Sequence, residues 1–209
     1  MTDAEVVSTL ERVRVLPVMS VPDAAGAEAA CRALLAGGIS CVEITFRTDA
    51  AADAIRRVSG IEGMLVGAGT VLSAGQAEAA AAAGARFAVA PGTSEPVVEA
   101  CRALGLPFFP GIATPSEIER ARALGCHTLK VFPAGTVGGV AFLRAVSAPY
   151  RDVRFVPTGG IDASNLAAYL GVPSVLACGG SWLCDQALIR DGRFDEIERL
   201  AREAVEIAA

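Results

Sequence analysis

Short apolar runs recur along the chain, each closed by Gly, Pro or Thr and followed by a stretch with helical spacing. The pattern predicts strands at 13–19, 41–47, 64–70, 87–90, 108–109, 128–133, 154–158 and 175–178. Between them, Asp23, Ser73 with Gln76, and Thr114 with Pro115 and Glu117 carry helix-start chemistry. A short amphipathic helix at 3–11 precedes the first strand, and a longer one at 194–207 closes the chain. The repeated unit is strand, tight turn, capped helix, with no linker to divide it. Such alternation predicts a parallel sheet, and eight units predict one (β/α)8 TIM barrel with a short N-terminal helix over residues 1–209. An open doubly wound sheet is the alternative. It would make Gly67-Ala68-Gly69 a dinucleotide loop, but without a third glycine at its spacing that signal is weak.

Composition narrows the picture. With 53% hydrophobic residues and a mean hydropathy of +0.47, most elements must be buried on at least one side. No apolar run reaches the roughly 18 residues that would suit a bilayer, so no membrane partner is expected. Met1-Thr2-Asp3-Ala4-Glu5 has neither a basic nor an apolar leader region, which predicts a cytoplasmic protein. The net charge of −5 and pI near 5.0 argue against nucleic acid. An anionic small molecule is still compatible, because helix N-termini and one or two arginines can bind phosphate. Six cysteines without a C-x-x-C pair read as reduced, small apolar residues. The one histidine, His127, reads as structural. A catalytic metal site usually needs more histidines, so no metal and no cofactor are expected.

The cations are lopsided. Lysine and arginine total 18, and only one of them is lysine: Lys130, inside Thr128-Leu129-Lys130-Val131-Phe132-Pro133. An unpaired ammonium in such an apolar run would be expensive to bury. Guanidinium keeps its proton, whereas a lysine can supply a nucleophilic amine. In the second strand, alternation puts Glu43, Thr45 and Arg47 on one face and Val42, Ile44 and Phe46 on the other. Glu43 and Arg47 could form a purely structural ion pair. A carboxylate facing a buried amine suits imine chemistry better, because imine formation needs several proton transfers. In a barrel, functional groups gather at the C-terminal strand ends. Those ends carry Glu43, Arg47, Thr70, Lys130, Thr158 with Gly159-Gly160, and Gly179-Gly180-Ser181. The last two clusters lie on successive strands and read as a phosphate cradle, the alternative being glycines that only make tight turns.

Six motifs together carry a family resemblance: Val42-Glu43-Ile44-Thr45-Phe46-Arg47-Thr48, Gly67-Ala68-Gly69-Thr70-Val71, Pro110-Gly111-Ile112-Ala113-Thr114, Leu129-Lys130-Val131-Phe132-Pro133-Ala134, Pro157-Thr158-Gly159-Gly160-Ile161 and Gly179-Gly180-Ser181-Trp182-Leu183. In this order and spacing, from about residue 10 to 205, the chain resembles the 2-keto-3-deoxy-6-phosphogluconate (KDPG) aldolases. Their family includes 4-hydroxy-2-oxoglutarate (KHG) aldolases. The resemblance implies a homotrimeric barrel and a metal-free, class I aldolase acting on a phosphorylated 2-keto acid and on pyruvate. It makes Lys130 the imine-forming lysine and Glu43 the general acid/base. Arg47 and Thr70 would hold the pyruvyl carboxylate, with Thr158, Phe132 and Pro91 also lining the substrate. Gly159, Gly160, Gly180 and Ser181 would bind phosphate. Family members often carry aromatics where Leu129 and Val131 stand; alternation points both away from the site. A galactonate-type relative (KDPGal aldolase) is the near alternative, against which Phe46-Arg47-Thr48 and Thr158 speak. A phosphate-binding barrel isomerase using Glu43 as base is the distant one, and a catalytically silent binding barrel is a third.

Overall fold

The computed structural model describes residues 2–209; Met1, part of the N-terminal stretch read above, lies outside the described residues. Helix α1 (Asp3–Val13) starts with a reciprocal cap: the Thr2 hydroxyl accepts from the Glu5 N–H while the Glu5 carboxylate accepts from the Thr2 N–H. It runs two residues past the expected end, so Val13 belongs to its last turn and not to a strand. Arg14, at φ 65°, ends the helix.

Beyond it the chain alternates. It runs through β1 (Val15–Met19), α2 (Ala24–Ala36), β2 (Cys41–Thr45), α3 (Ala51–Val58), β3 (Leu65–Gly69), α4 (Ala74–Ala83), β4 (Phe87–Val89) and α5 (Glu95–Ala103). Then come β5 (Phe108–Phe109), β6 (Gly111–Ile112), α6 (Pro115–Ala123), β7 (Thr128–Val131), α7 (Gly139–Ser147) and β8 (Arg154–Pro157). The chain closes with α8 (Leu166–Leu170), β9 (Cys178–Gly180), a 3₁₀ turn (Trp182–Cys184), α9 (Gln186–Arg190) and α10 (Phe194–Ala208). Asp23, Ser73 and Thr114 each cap their helix with a side-chain oxygen, as their sequence contexts predict. The carboxamide of Gln76 and carboxylate of Glu117 reach one residue further back than a strict capping box, to the N–H groups of Leu72 and Ala113.

Every strand pairing is parallel. One sheet has the order β5-β4-β3-β2-β1-β9 and the other β6-β7-β8. Isolated parallel bridges, Phe155 to Val175 and Thr158 to Gly179, tie the end of the second sheet to the neighbourhood of β9. The result is an α/β fold with a curled parallel sheet. In β1, β2 and β3 all five positions are buried, as expected of strands covered on both faces. Leu16, Met19, Ile44, Phe87, Leu129 and Phe155 are among the fully buried side chains of one continuous core. No helix among the described residues is long and apolar enough to cross a membrane.

Several strands are shorter than expected, and two of the differing boundaries bear on the site. β2 stops at Thr45, so Phe46 and Arg47 lie in the following turn instead of continuing the strand. The last strand is Cys178–Gly180, not 175–178. Glycine is a poor strand former, so the apolar Val175-Leu176-Ala177 run looked like the better strand. Packing prefers the glycines: a Cβ on Gly179 would stand 2.1 Å from Thr158 Oγ1, and one on Gly180 1.6 Å from the Trp182 ring. The short helices α8 and α9 and the 3₁₀ turn span too few residues for a helical period to fix their bounds.

Candidate active site

Lys130 is the third residue of β7 and Glu43 the third of β2, and the fold brings their side chains together across 87 residues of sequence. The ammonium Nζ donates to Glu43 Oε1 at 3.0 Å and to Oε2 at 3.3 Å. Both groups are sealed from solvent, with relative exposures of 4% for Lys130 and 1% for Glu43. Leu129 and Val131, flanking the lysine, are equally buried. The face of the Phe132 ring lies 5.6 Å from the ammonium, within cation–π range. Thr45, two residues after Glu43, is fully buried, its hydroxyl donating to the Met19 carbonyl at 3.2 Å.

The other strand-end residues gather on the rim toward which these parallel strands run. Thr70 directly follows β3 at φ 57°. For a β-branched residue that conformation is strained, and such strain concentrates at functional sites. Pro91 is half-buried beyond β4, close enough that a Cβ on Gly111 would collide with its carbonyl at 2.1 Å. Thr158 is buried just past β8, and Gly159 and Gly160 follow at φ 96° and 77°, a pair of left-handed residues that only glycine adopts readily. Gly180 ends β9 and exposed Ser181 follows it. Among the described residues the N–H groups of Gly160 and Ser181 donate to no acceptor, which leaves them available to an anion. Arg47 is exposed and stands apart from Glu43, whose partner is Lys130; the structural Glu43–Arg47 ion pair weighed from sequence is not formed.

Other reactive groups lie elsewhere. His127 precedes β7, half-exposed, with Nδ1 3.2 Å from Asp152 Oδ2. None of the six cysteines is poised as a nucleophile: all are free thiols, and burial pushes Cys31, Cys41 and Cys178 up to about 12. Cavities of about 460 and 350 Å³ open at the opposite strand ends, one beside Arg102, Phe108 and His127, the other beside Arg12, Ser40 and Arg86. Neither reaches Lys130 or Glu43. A buried amine beside a carboxylate, rimmed by free N–H groups, can condense with a ketone and move the protons this requires. Sequence reasoning treated Gly69 only as part of a motif. Strand alternation places it on the same face of β3 as Gly67, and the fold brings that position against Glu43.

Comparison with known proteins agrees with this chemistry. The family model described as KDPG and KHG aldolase matches residues 6–200. The chain is 48% identical over 199 residues to a 2-dehydro-3-deoxy-phosphogluconate aldolase of Treponema pallidum (strain Nichols), covering 95% of both chains. It is 43% identical over 206 residues to the KHG/KDPG aldolase of Escherichia coli (strain K12), covering 98% of this chain and 96% of the relative. Among solved structures, KDPG aldolase from Legionella pneumophila superposes with a TM-score of 0.91 at 35% identity, covering 95% of this chain and 97% of the other. That structure holds pyruvate captured at low pH as a covalent carbinolamine intermediate.

Proposed function

The chain belongs to the KDPG and KHG aldolase family, and we propose that it is a class I lyase that cleaves 2-keto-3-deoxy-6-phosphogluconate reversibly to pyruvate and glyceraldehyde 3-phosphate. The observation that carries the reading is the buried contact between Lys130 Nζ and both Glu43 oxygens, at 3.0 and 3.3 Å. Glu43 takes a proton from the ammonium, and the freed amine attacks the C2 ketone. The protonated carboxyl then returns a proton to the C2 hydroxyl, and water leaves the carbinolamine to give an iminium. As carboxylate again, Glu43 removes the C4 hydroxyl proton while the C3–C4 electron pair moves into the iminium. Glyceraldehyde 3-phosphate departs, C3 of the enamine regains a proton from Glu43, and water hydrolyses the iminium to release pyruvate and the amine.

Around this pair, Arg47 and Thr70 hold the pyruvyl carboxylate, and Phe132, Pro91 and Thr158 line the carbon chain. The N–H groups of Gly159, Gly160 and Gly180, with Ser181, cradle the phosphate. Cleavage of 4-hydroxy-2-oxoglutarate to pyruvate and glyoxylate is a second activity of the same site, supported by the name of the Escherichia coli relative. Residues 1–209 form one barrel domain in this reading: β5 and β6, interrupted only by Pro110, act as one strand joining the two sheets into an eight-stranded (β/α)8 ring. Assembly as a homotrimer and a cytoplasmic location belong to the same proposal.

The test is reduction with borohydride in the presence of pyruvate. One reduced pyruvyl group should appear on Lys130 with loss of activity, and borohydride alone should do nothing. Lys130→Arg should abolish labelling and cleavage while keeping the charge. A Lys130→Arg protein that still turns over substrate would make the lysine an electrostatic contact only, as in an isomerase.

A further inference from the structure

Gly69 occupies the last position of β3, in register with Thr45 of β2, and its carbonyl accepts from the Phe46 N–H at 2.8 Å. Its backbone is ordinary strand and not among the left-handed glycines, so the chain's course does not require glycine there. A glycine in such a place weakens a strand and usually marks a close approach. What approaches is the Glu43 side chain: a Cβ on Gly69 would lie 2.2 Å from Oε1, 2.6 Å from Cγ and 2.8 Å from Cδ. All three nearest atoms belong to that one side chain. At Gly67, on the same face of β3, the Cβ would instead strike the Phe87 ring at 2.2 Å, a matter of core packing.

We infer that Gly69 is a positioning residue of the active site, whose missing side chain forms the berth in which the Glu43 carboxylate lies against Lys130. This rests on reading Glu43 as the proton-transfer group. The carboxylate is held by the ammonium through both oxygens and is almost wholly buried. A methyl at position 69 must push it by about 1 Å to restore van der Waals contact, and misplacement on that scale can lower a rate by roughly 10²-fold. None of the three nearest atoms belongs to a group assigned to the substrate carboxylate or phosphate. The damage should therefore fall on kcat and not on KM.

The experiment compares Gly69→Ala, Glu43→Gln, Glu43→Ala and the double variant Glu43→Ala/Gly69→Ala, with kcat and KM for 2-keto-3-deoxy-6-phosphogluconate and thermal unfolding for each. Gly69→Ala should lose about 10²-fold in kcat, with KM within about threefold of the parent. It should lower Tm when Glu43 is present and leave Tm unchanged when residue 43 is alanine, because the collision partner has gone. If Gly69→Ala fails to fold, recovery of folding in the double variant supports the inference, and continued failure overturns it. A parental kcat in Gly69→Ala, or an equal loss of Tm in both backgrounds, also overturns it. Full activity in Glu43→Gln would instead refute the proton-transfer role of Glu43, an outcome distinct from a failure of the berth.

Discussion

Replacing Lys130 by methionine, which keeps the chain length and removes the charge, should destabilise the protein by about 3–5 kcal/mol, because it strands a carboxylate in a buried site. At the observed 3.0 Å, and with an effective dielectric constant of about 20, the attraction between the two charges is roughly 5.5 kcal/mol. Removing each ion from water costs several kcal/mol, so the intact pair stabilises the fold little or not at all. Glu43→Leu should therefore cost a similar amount by stranding the ammonium, whereas Lys130→Met/Glu43→Leu should be near neutral or more stable than the parent. For a chain of this size about 2–4 °C of Tm corresponds to 1 kcal/mol, so each single variant should fall by roughly 6–20 °C and the double should recover. Thermal unfolding and urea titration at fixed protein concentration read this directly. Single changes that cost under about 1 kcal/mol each and simply add would refute the reasoning, for they would mean that the two groups are hydrated or uncoupled.

Arg47→Ala should raise KM for pyruvate in the condensation direction by about one to two orders of magnitude, the equivalent of a charge-assisted hydrogen bond of roughly 1.5–3 kcal/mol, with little change in Tm. An unchanged KM would remove Arg47 from the site. The buried thiols make an alkaline prediction: the folded values of Cys31, Cys41 and Cys178 lie at about 12, against 9.0 for an unperturbed thiol. Their contribution is complete below pH 9 and is lost as pH rises from there toward 12, because the unfolded chain releases protons that the folded chain retains. The fall in Tm from about pH 8 to about pH 10.5 should be shallower in Cys31→Ala/Cys41→Ala/Cys178→Ala, and an equal slope would contradict this.

The buried Lys130–Glu43 pair was legible because its residues violate the pattern around them: a single lysine in an apolar run, and a glutamate whose neighbours alternate with apolar side chains. Helix starts at Asp23, Ser73 and Thr114 were equally readable, since capping is local chemistry. What the sequence concealed depends on distant neighbours. β9 sits where Thr158 and Trp182 need glycine beside them, and no local propensity announces that. Val13 stays helical because Arg14 adopts the left-handed turn, a choice unusual for arginine. Arg47 looked strand-borne by simple alternation, yet β2 ends two residues earlier and leaves it exposed.

The shortage of lysine has a consequence outside the site. The side-chain cations are guanidinium groups with one exception, and the exceptional amine is buried at 4% exposure. An aldolase works amid reactive aldehydes and keto acids, which attach to exposed primary amines without any catalyst. On this molecule such adducts find no surface lysine, so for glycation, formaldehyde fixation and amine-directed dyes or resins the side-chain target is the buried Lys130 alone. Attachment to a support by amine coupling would therefore capture the protein poorly or inactivate it, whereas coupling through surface carboxylates would leave Lys130 free.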